Sequence, residues 1–270
     1  MNTVSLRPSF RRVTREIAWF AAVVFALLVG TATAFAGTHR RIKSAHGPVH
    51  VWMPTGYDSA TAGVVVYVHG YFTSVDRAWK QHRLAAQFAS SGLNALFVAC
   101  AAPDDWRSPI RWKSLDELLA TVEATLDGGL PEGRVVVVGH SGAHRTIEQW
   151  LSGDRIDTII LIDALYGEVD AFKAWIEGGP ERRLIDAAAL TRRWTDELHA
   201  RLPDTVVFDE FPPARTGRLV GARSARVVYV RSQFDHMGLV TRGLAIPMLL
   251  RAVTLPTVAT ASRRAPIRVR

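Results

Sequence analysis

Cysteine is almost missing from this chain: Cys100 is the only one in 270 residues. A single thiol excludes an internal disulfide, so the fold must be held by its core. Zinc-finger spacing and basic repeats are absent, and no internal repeat marks a solenoid or propeller. A basic groove is missing too. Of the formal charge of +8, residues 1–36 carry a net +3 and residues 262–270 a net +4, which leaves +1 for the body. Cations and anions mix there, which argues against nucleic acid as a partner. What remains is an ordinary globular composition, 48% hydrophobic and 21% charged, long enough for one sizeable α/β domain. Cys100 closes an apolar run and reads as a buried structural thiol.

The N-terminus has the features of an export signal. Arg11, Arg12 and Arg15 precede the apolar stretch Ile17–Gly30, and "AFA" at Ala34–Ala36 offers a small-x-small cleavage site before Gly37. The alternative is an uncleaved anchor, because Ile17–Ala36 is about long enough to span a bilayer. Residues 1–36 are thus expected to be a signal peptide or anchor, residues 37–255 the domain, and residues 256–270 a disordered basic tail. The expected location is periplasmic or extracellular, or membrane-anchored if the segment stays. Any further membrane association would be weak and would fade with salt.

From Gly37 onward, apolar runs alternate with amphipathic stretches. Strands are expected over Pro48–Pro54, Val64–Gly70, Asn94–Cys100, the valine run ending at Gly139, Asp157–Gly167 and Ala225–Val230. Helices are expected over Asp76–Gly92, Ser114–Gly129 (with Ser114 and Glu117 at capping-box spacing), Ala143–Leu151, Val169–Gly179 and Thr191–Leu202. A last helix near the end is broken or started at Pro247. Arg182–Leu190 fits helix or strand, and residues 203–225 read as a long loop. Unbroken Val/Ile runs mark strands buried on both faces. With helices between them, the expectation is a mostly parallel sheet covered on both sides, in a single domain with a small cap-like insertion. In such sheets the active groups gather at the carboxyl ends of the strands.

The valine run ends in Gly139-His140-Ser141-Gly142-Ala143. A nucleophile elbow needs small residues two before and two after its serine, because strand and helix nearly collide there. Ala143 stands where the usual pattern has glycine. The alternative role for Ser141 is a helix cap. His140 and His144 have the spacing of helical zinc ligands, but no Glu separates them and no third ligand follows, so no metal or other cofactor is expected. His236 lies just past the last strand, and a neutral imidazole can accept a serine proton and return it. For the acid, Asp163 ends "TIILI" and Asp186 competes from "RRLIDAAAL". Asp235 adjoins His236, where neighbouring side chains diverge. Oxyanion donors are expected at the backbone N–H groups of Gly142 and Tyr71.

Together, "VYVHGYF", "VVVVGHSGA", "LIDALYG" and "RSQFDHMG", in that order from Pro48 to Leu250, resemble the α/β-hydrolase superfamily. The resemblance implies an eight-stranded, mostly parallel sheet and a serine hydrolase with Ser141 as nucleophile, His236 as base and Asp163 as orienter. Some lipases of that family carry the acid after the same strand. The fold hosts many chemistries, so the substrate must come from the pocket. Candidate walls are Tyr71, Phe72, Trp106, Trp112 and Tyr166, with Phe172 and Trp175 beyond. These suit a small-molecule or acyl partner with an apolar group. The reading is an exported hydrolase of carboxylic esters. The alternatives are an amidase or peptidase with the same triad, or a non-catalytic hydrolase-like binding protein.

Overall fold

The computed structural model describes residues 37–258. The signal peptide or anchor expected in residues 1–36 and the tail from residue 259 lie outside the described residues. No helix among the described residues is long and apolar enough to cross a membrane.

Nine strands form one mixed sheet: β1 (Gly37–Ile42), β2 (Val49–Pro54), β3 (Gly63–Val68), β4 (Ala95–Cys100), β5 (Val135–His140), β6 (Ile156–Ile162), β7 (Arg183–Ala188), β8 (Val206–Phe208) and β9 (Val227–Arg231). Their spatial order is β1-β2-β4-β3-β5-β6-β7-β9-β8. The two pairings at the β1 end are antiparallel and every other pairing is parallel. Strands β3, β4 and β5 are buried from end to end, as their unbroken apolar runs require. One sheet face packs beneath α3 (Leu115–Glu123), α4 (His144–Trp150), α5 (Val169–Glu177) and α6 (Arg192–Ala200), through Leu118, Ile147, Phe172 and Leu198. The other packs beneath α1 (Val75–Gln81), α2 (Leu84–Ser91), α7 (Gly238–Thr241) and α8 (Ala245–Arg251), through Val75, Phe88, Leu239 and Leu249.

Several elements differ from the sequence reading for local reasons. β1 is polar and exposed, an edge strand with no apolar run to reveal it, and its His39, Arg40 and Arg41 blunt that edge. The span Asp76–Gly92 is two helices, broken at Arg83, whose φ of 49° is left-handed. Helix α3 stops at Glu123, well before Gly129, and Ser114 caps it by accepting the Asp116 N–H at 3.1 Å. The ambiguous Arg182–Leu190 run holds strand β7, which the sheet imposes on an alanine-rich sequence. The last helix is a pair, α7 and α8, separated at Gly243 (φ 76°), with Pro247 in the first turn of α8. The segment expected to hold a cap, after β6, is the short loop 163–168. The domain also runs beyond residue 255. The Asn94 N–H donates to the Pro256 carbonyl at 2.8 Å and the Val258 N–H to the Gly92 carbonyl at 2.9 Å, so residues 256–258 belong to the body rather than to a disordered tail.

Candidate active site

At the carboxyl ends of β5, β6 and β9, three side chains distant in sequence meet. Ser141 follows β5 directly, and its φ of 54° turns the chain sharply before α4. Such a backbone position costs of order 1–3 kcal/mol and persists only where the surroundings impose it. The surroundings here are tight. A Cβ on Gly139 would lie 3.1 Å from the Ala143 Cβ, so the two small residues flanking the serine pack on each other. Alanine at position 143 is tolerated because Gly139 leaves it room.

His236 Nε2 lies 3.0 Å from Ser141 Oγ, and His236 Nδ1 lies 2.7 Å from Asp163 Oδ2. Asp163, at φ 48°, sits just past β6, and its carboxylate is fully buried. Its other donors are the backbone N–H groups of Ala189 (2.8 Å), Leu190 (3.0 Å) and Thr191 (2.8 Å) and the Thr191 hydroxyl (2.8 Å). Burial alone would raise the Asp163 pKa. Hydrogen bonds from His236 and from these backbone groups outweigh it and hold the carboxyl far below the ordinary carboxylate range. His236 is presented by a pinned loop: the Ser232 N–H donates to the Ala188 carbonyl at 2.9 Å, and the Gly238 N–H donates to Asp235 Oδ1. Asp235 therefore holds the turn that enters α7 and does not serve His236.

Asp186 lies elsewhere. It sits mid-strand in β7, beneath α6, and accepts a 2.7 Å hydrogen bond from His199 Nε2, so it is committed to the packing of α6 on the sheet.

The loop after β3 approaches Ser141 from the other side. A Cβ on Gly70 would lie 2.7 Å from the Ser141 Cβ, so only glycine permits this approach. His69 fixes the loop. The Ala102 N–H donates to its Nε2 at 3.0 Å, which leaves the proton on Nδ1 to donate to the Gly70 carbonyl at 2.6 Å. The Phe72 N–H, at a strained φ of 59°, donates to the Asp104 carbonyl at 2.8 Å.

Above Ser141 opens a pocket of about 720 Å³. Four of the seven candidate walls line it: Tyr71, Phe72, Trp106 and Tyr166. Burial raises the Tyr166 phenol, and hydrogen bonding with Ser141 partly offsets this. Phe72 and Trp106 meet edge to face at 5.6 Å on the rim, where they are 70% and 59% exposed. Trp112, Phe172 and Trp175, also proposed as walls, are core residues, facing the sheet with α3 and α5 over them. Besides His236, the histidines His82, His140 and His144 line the pocket. The His140 ring lies 4.7 Å from that of His236. Burial first, then the neighbouring rings of His236 and His82, push its pKa down to about 3. His144 Nδ1 donates to the Ser141 carbonyl at 3.2 Å. Among the described residues, no three His, Cys, Asp or Glu side chains converge in a metal-binding group.

The sequence reading missed Thr73, Arg77, Gln81, His82, Arg145 and Met237 as pocket residues. Arg145 had a weak signal, one helical turn beyond Ser141. Arg77 and His82 had none, because their place depends on how α1 crosses the mouth.

Neither a protein-family model nor a curated protein sequence matches the chain. Solved structures match by fold. A feruloyl esterase module from Clostridium thermocellum, complexed with sinapinate, is 12% identical with a TM-score of 0.53, covering 79% of this chain and 88% of its own. An S-formylglutathione hydrolase from Agrobacterium tumefaciens is 12% identical with a TM-score of 0.50, over 81% and 95% of the two chains. Brefeldin A esterase, a bacterial homologue of human hormone sensitive lipase, is 15% identical with a TM-score of 0.50, over 80% and 73%. The architecture is that of the α/β-hydrolases, with a ninth strand added to the eight expected.

Proposed function

We propose that this protein is a serine hydrolase that cleaves carboxylic esters through an acyl-enzyme. The observation that carries the reading is the hydrogen-bonded chain Ser141 Oγ–His236–Asp163, anchored on a serine at positive φ between strand and helix. A capping serine needs none of these partners.

In the reaction, Ser141 Oγ attacks the ester carbonyl carbon while its proton passes to His236 Nε2. The carbonyl electron pair moves onto oxygen, where the backbone N–H groups of Tyr71 and Gly142 receive the negative charge. Asp163 accepts the His236 Nδ1 proton in a hydrogen bond, which fixes the tautomer with a bare Nε2 and stabilises the imidazolium. Collapse of the intermediate breaks the bond to the alcohol oxygen, which takes the proton from Nε2. Water then repeats the sequence: its proton goes to His236, its oxygen bonds to the acyl carbon, and Ser141 Oγ leaves with the proton. The sum is ester plus water giving acid plus alcohol.

Labelling with a fluorophosphonate probe tests this. The folded wild type is expected to label and Ser141→Ala to be silent; an unlabelled, folded wild type would leave the binding-protein alternative standing. Chromogenic esters are expected to turn over faster than matched anilides. Export, read from residues 1–36, predicts a mature chain beginning at Gly37, and N-terminal sequencing of protein from the producing cell's periplasm or medium decides it.

A further inference from the structure

The polar side of the pocket is one-sided in charge. Its lining includes two arginines and four histidines and no carboxylate. Arg77, on α1 at the mouth, has no hydrogen bond or ion pair from its guanidinium among the described residues. The adjacent Asp76 is already held by Arg41 and His50. Arg145, half-buried at the start of α4, donates to the carbonyl oxygens of its neighbouring loop, chiefly that of Trp106 at 2.7 Å, and pairs with no carboxylate. Beside it lies the buried Tyr71 hydroxyl, whose pKa is raised by burial and drawn back by hydrogen bonding with Arg145.

Of the nearby acids all but Glu168 are committed, and the buried Glu168 Oε2 has no hydrogen-bond partner among the described residues. Asp163 serves His236, Asp104 pairs with Arg111 at 2.6 Å, Asp105 accepts from its own loop, and Glu168 faces His144 at 3.5 Å. Arg77 and Arg145, neither of them in an ion pair among the described residues, therefore face a concave site, where potential is focused. Two guanidiniums without a carboxylate partner are adapted to a planar oxyanion rather than to a neutral chain. In the same lining, Phe72 and Trp106 offer an exposed apolar edge-to-face pair.

We infer that the ester this pocket takes carries a carboxylate, set apart from the scissile carbonyl by an apolar spacer, which Arg77 and Arg145 recognise. This rests on the ester-hydrolase reading above and adds the substrate class to it. The carboxylate belongs to either the acyl or the alcohol portion, and the experiment has an arm for each.

In the first arm, full-length protein is given the para-nitrophenyl hemiester of glutaric acid and, as its neutral match, para-nitrophenyl pentanoate. In the second it is given the butyryl ester of para-hydroxybenzoate and phenyl butyrate. The expected result is a kcat/KM at least about tenfold higher for the anionic ester in one arm at about 0.01 M salt, shrinking toward parity at about 1 M as the Debye length falls from roughly 30 Å to 3 Å. Arg77→Glu is expected to reverse that preference and Arg77→Lys to keep part of it, because lysine retains the charge without the fork. Since the salt titration is done on the wild type, the test does not depend on either variant folding. A wild type that labels with fluorophosphonate and cleaves neutral esters as well as anionic ones in both arms overturns this inference and leaves the hydrolase reading intact. No labelling and no turnover of any ester overturns the hydrolase reading beneath it.

Discussion

Replacing Asp163 by Asn tests the site most directly, because the environment of its carboxylate dictates which way an amide must sit. Oδ1 accepts from the Ala189 and Thr191 N–H groups and the Thr191 hydroxyl, and Oδ2 accepts from the Leu190 N–H and from His236. An amide has one oxygen and one NH₂. Three donors converge on the Oδ1 position, so the oxygen of Asn takes it and the NH₂ faces Leu190 and His236. The Leu190 N–H then opposes another donor, and His236 Nδ1 must accept. That tautomer puts the proton on Nε2, which points at Ser141 Oγ and can no longer take a proton from it. The expected fall in kcat is about 10⁴-fold, the scale for a mis-set tautomer in such a triad. Lost charge and the unpaired N–H should also cost about 1–3 kcal/mol of stability. The assay is kcat on para-nitrophenyl butyrate, with urea unfolding alongside. Asp186→Asn is the comparison: it breaks the pairing with His199, so it should lower stability and leave most of kcat. A folded Asp163→Asn protein within tenfold of wild-type kcat, or a larger catalytic loss from Asp186→Asn, would refute this reasoning.

Three other outcomes follow from the same coordinates. Gly70→Ala places a Cβ 2.7 Å from the Ser141 Cβ and must push the loop away, so kcat should drop about a hundredfold or more, as when one oxyanion donor is lost; wild-type kcat in this variant would contradict the role given to the Tyr71 loop. The folded pKa of His82 is pushed down to about 4 by burial, and then by His69. An unfolded chain therefore takes up a proton near pH 6.5 that the folded one refuses, and stability is full above pH 6.5 and is lost as pH falls toward 4. His82→Gln should narrow the difference in urea midpoint between pH 7 and pH 4.5, and an unchanged difference would count against it. Burial raises the Cys100 thiol to about 12, so a thiol reagent at pH 8 should label it only in denaturant, and rapid labelling of native protein would show that this strand end opens.

Much of the fold was legible because burial leaves a mark on composition. The Val64–Val68 and Val135–Val138 runs are apolar at every position because helices cover both faces of β3 and β5, and the sequence reading placed both. Elements without that mark were missed. Polar β1 and three-residue β8 lie at the sheet edges, where one side of the strand has no neighbour to select apolar residues. Strand β7 was ambiguous because alanine suits a helix and the sheet overrode that preference. Within the site, Ser141, His236 and Asp163 were named from their places at strand ends, and Tyr71, Phe72, Trp106 and Tyr166 as aromatic residues in the loops. The core positions of Trp112, Phe172 and Trp175 were not foreseen, since an aromatic residue serves a pocket wall or a core equally well.

The sequence by itself determined the buried strands and most of the helices between them, the tight Gly-x-Ser-x-Ala turn, and the histidine beyond the last strand, because each is a local pattern of size, polarity or chain order. It left the acid open between Asp163 and Asp186, and only the tertiary structure separated them. That choice depends on which carboxylate stands at the rim beside β5 and which lies mid-strand beneath a helix, a difference of a few ångströms in depth that neither residue's neighbours in the chain encode. That neither Arg77 nor Arg145 pairs with a carboxylate likewise became visible only in three dimensions, since a charge lacks a counter-ion only relative to everything the fold brings near it.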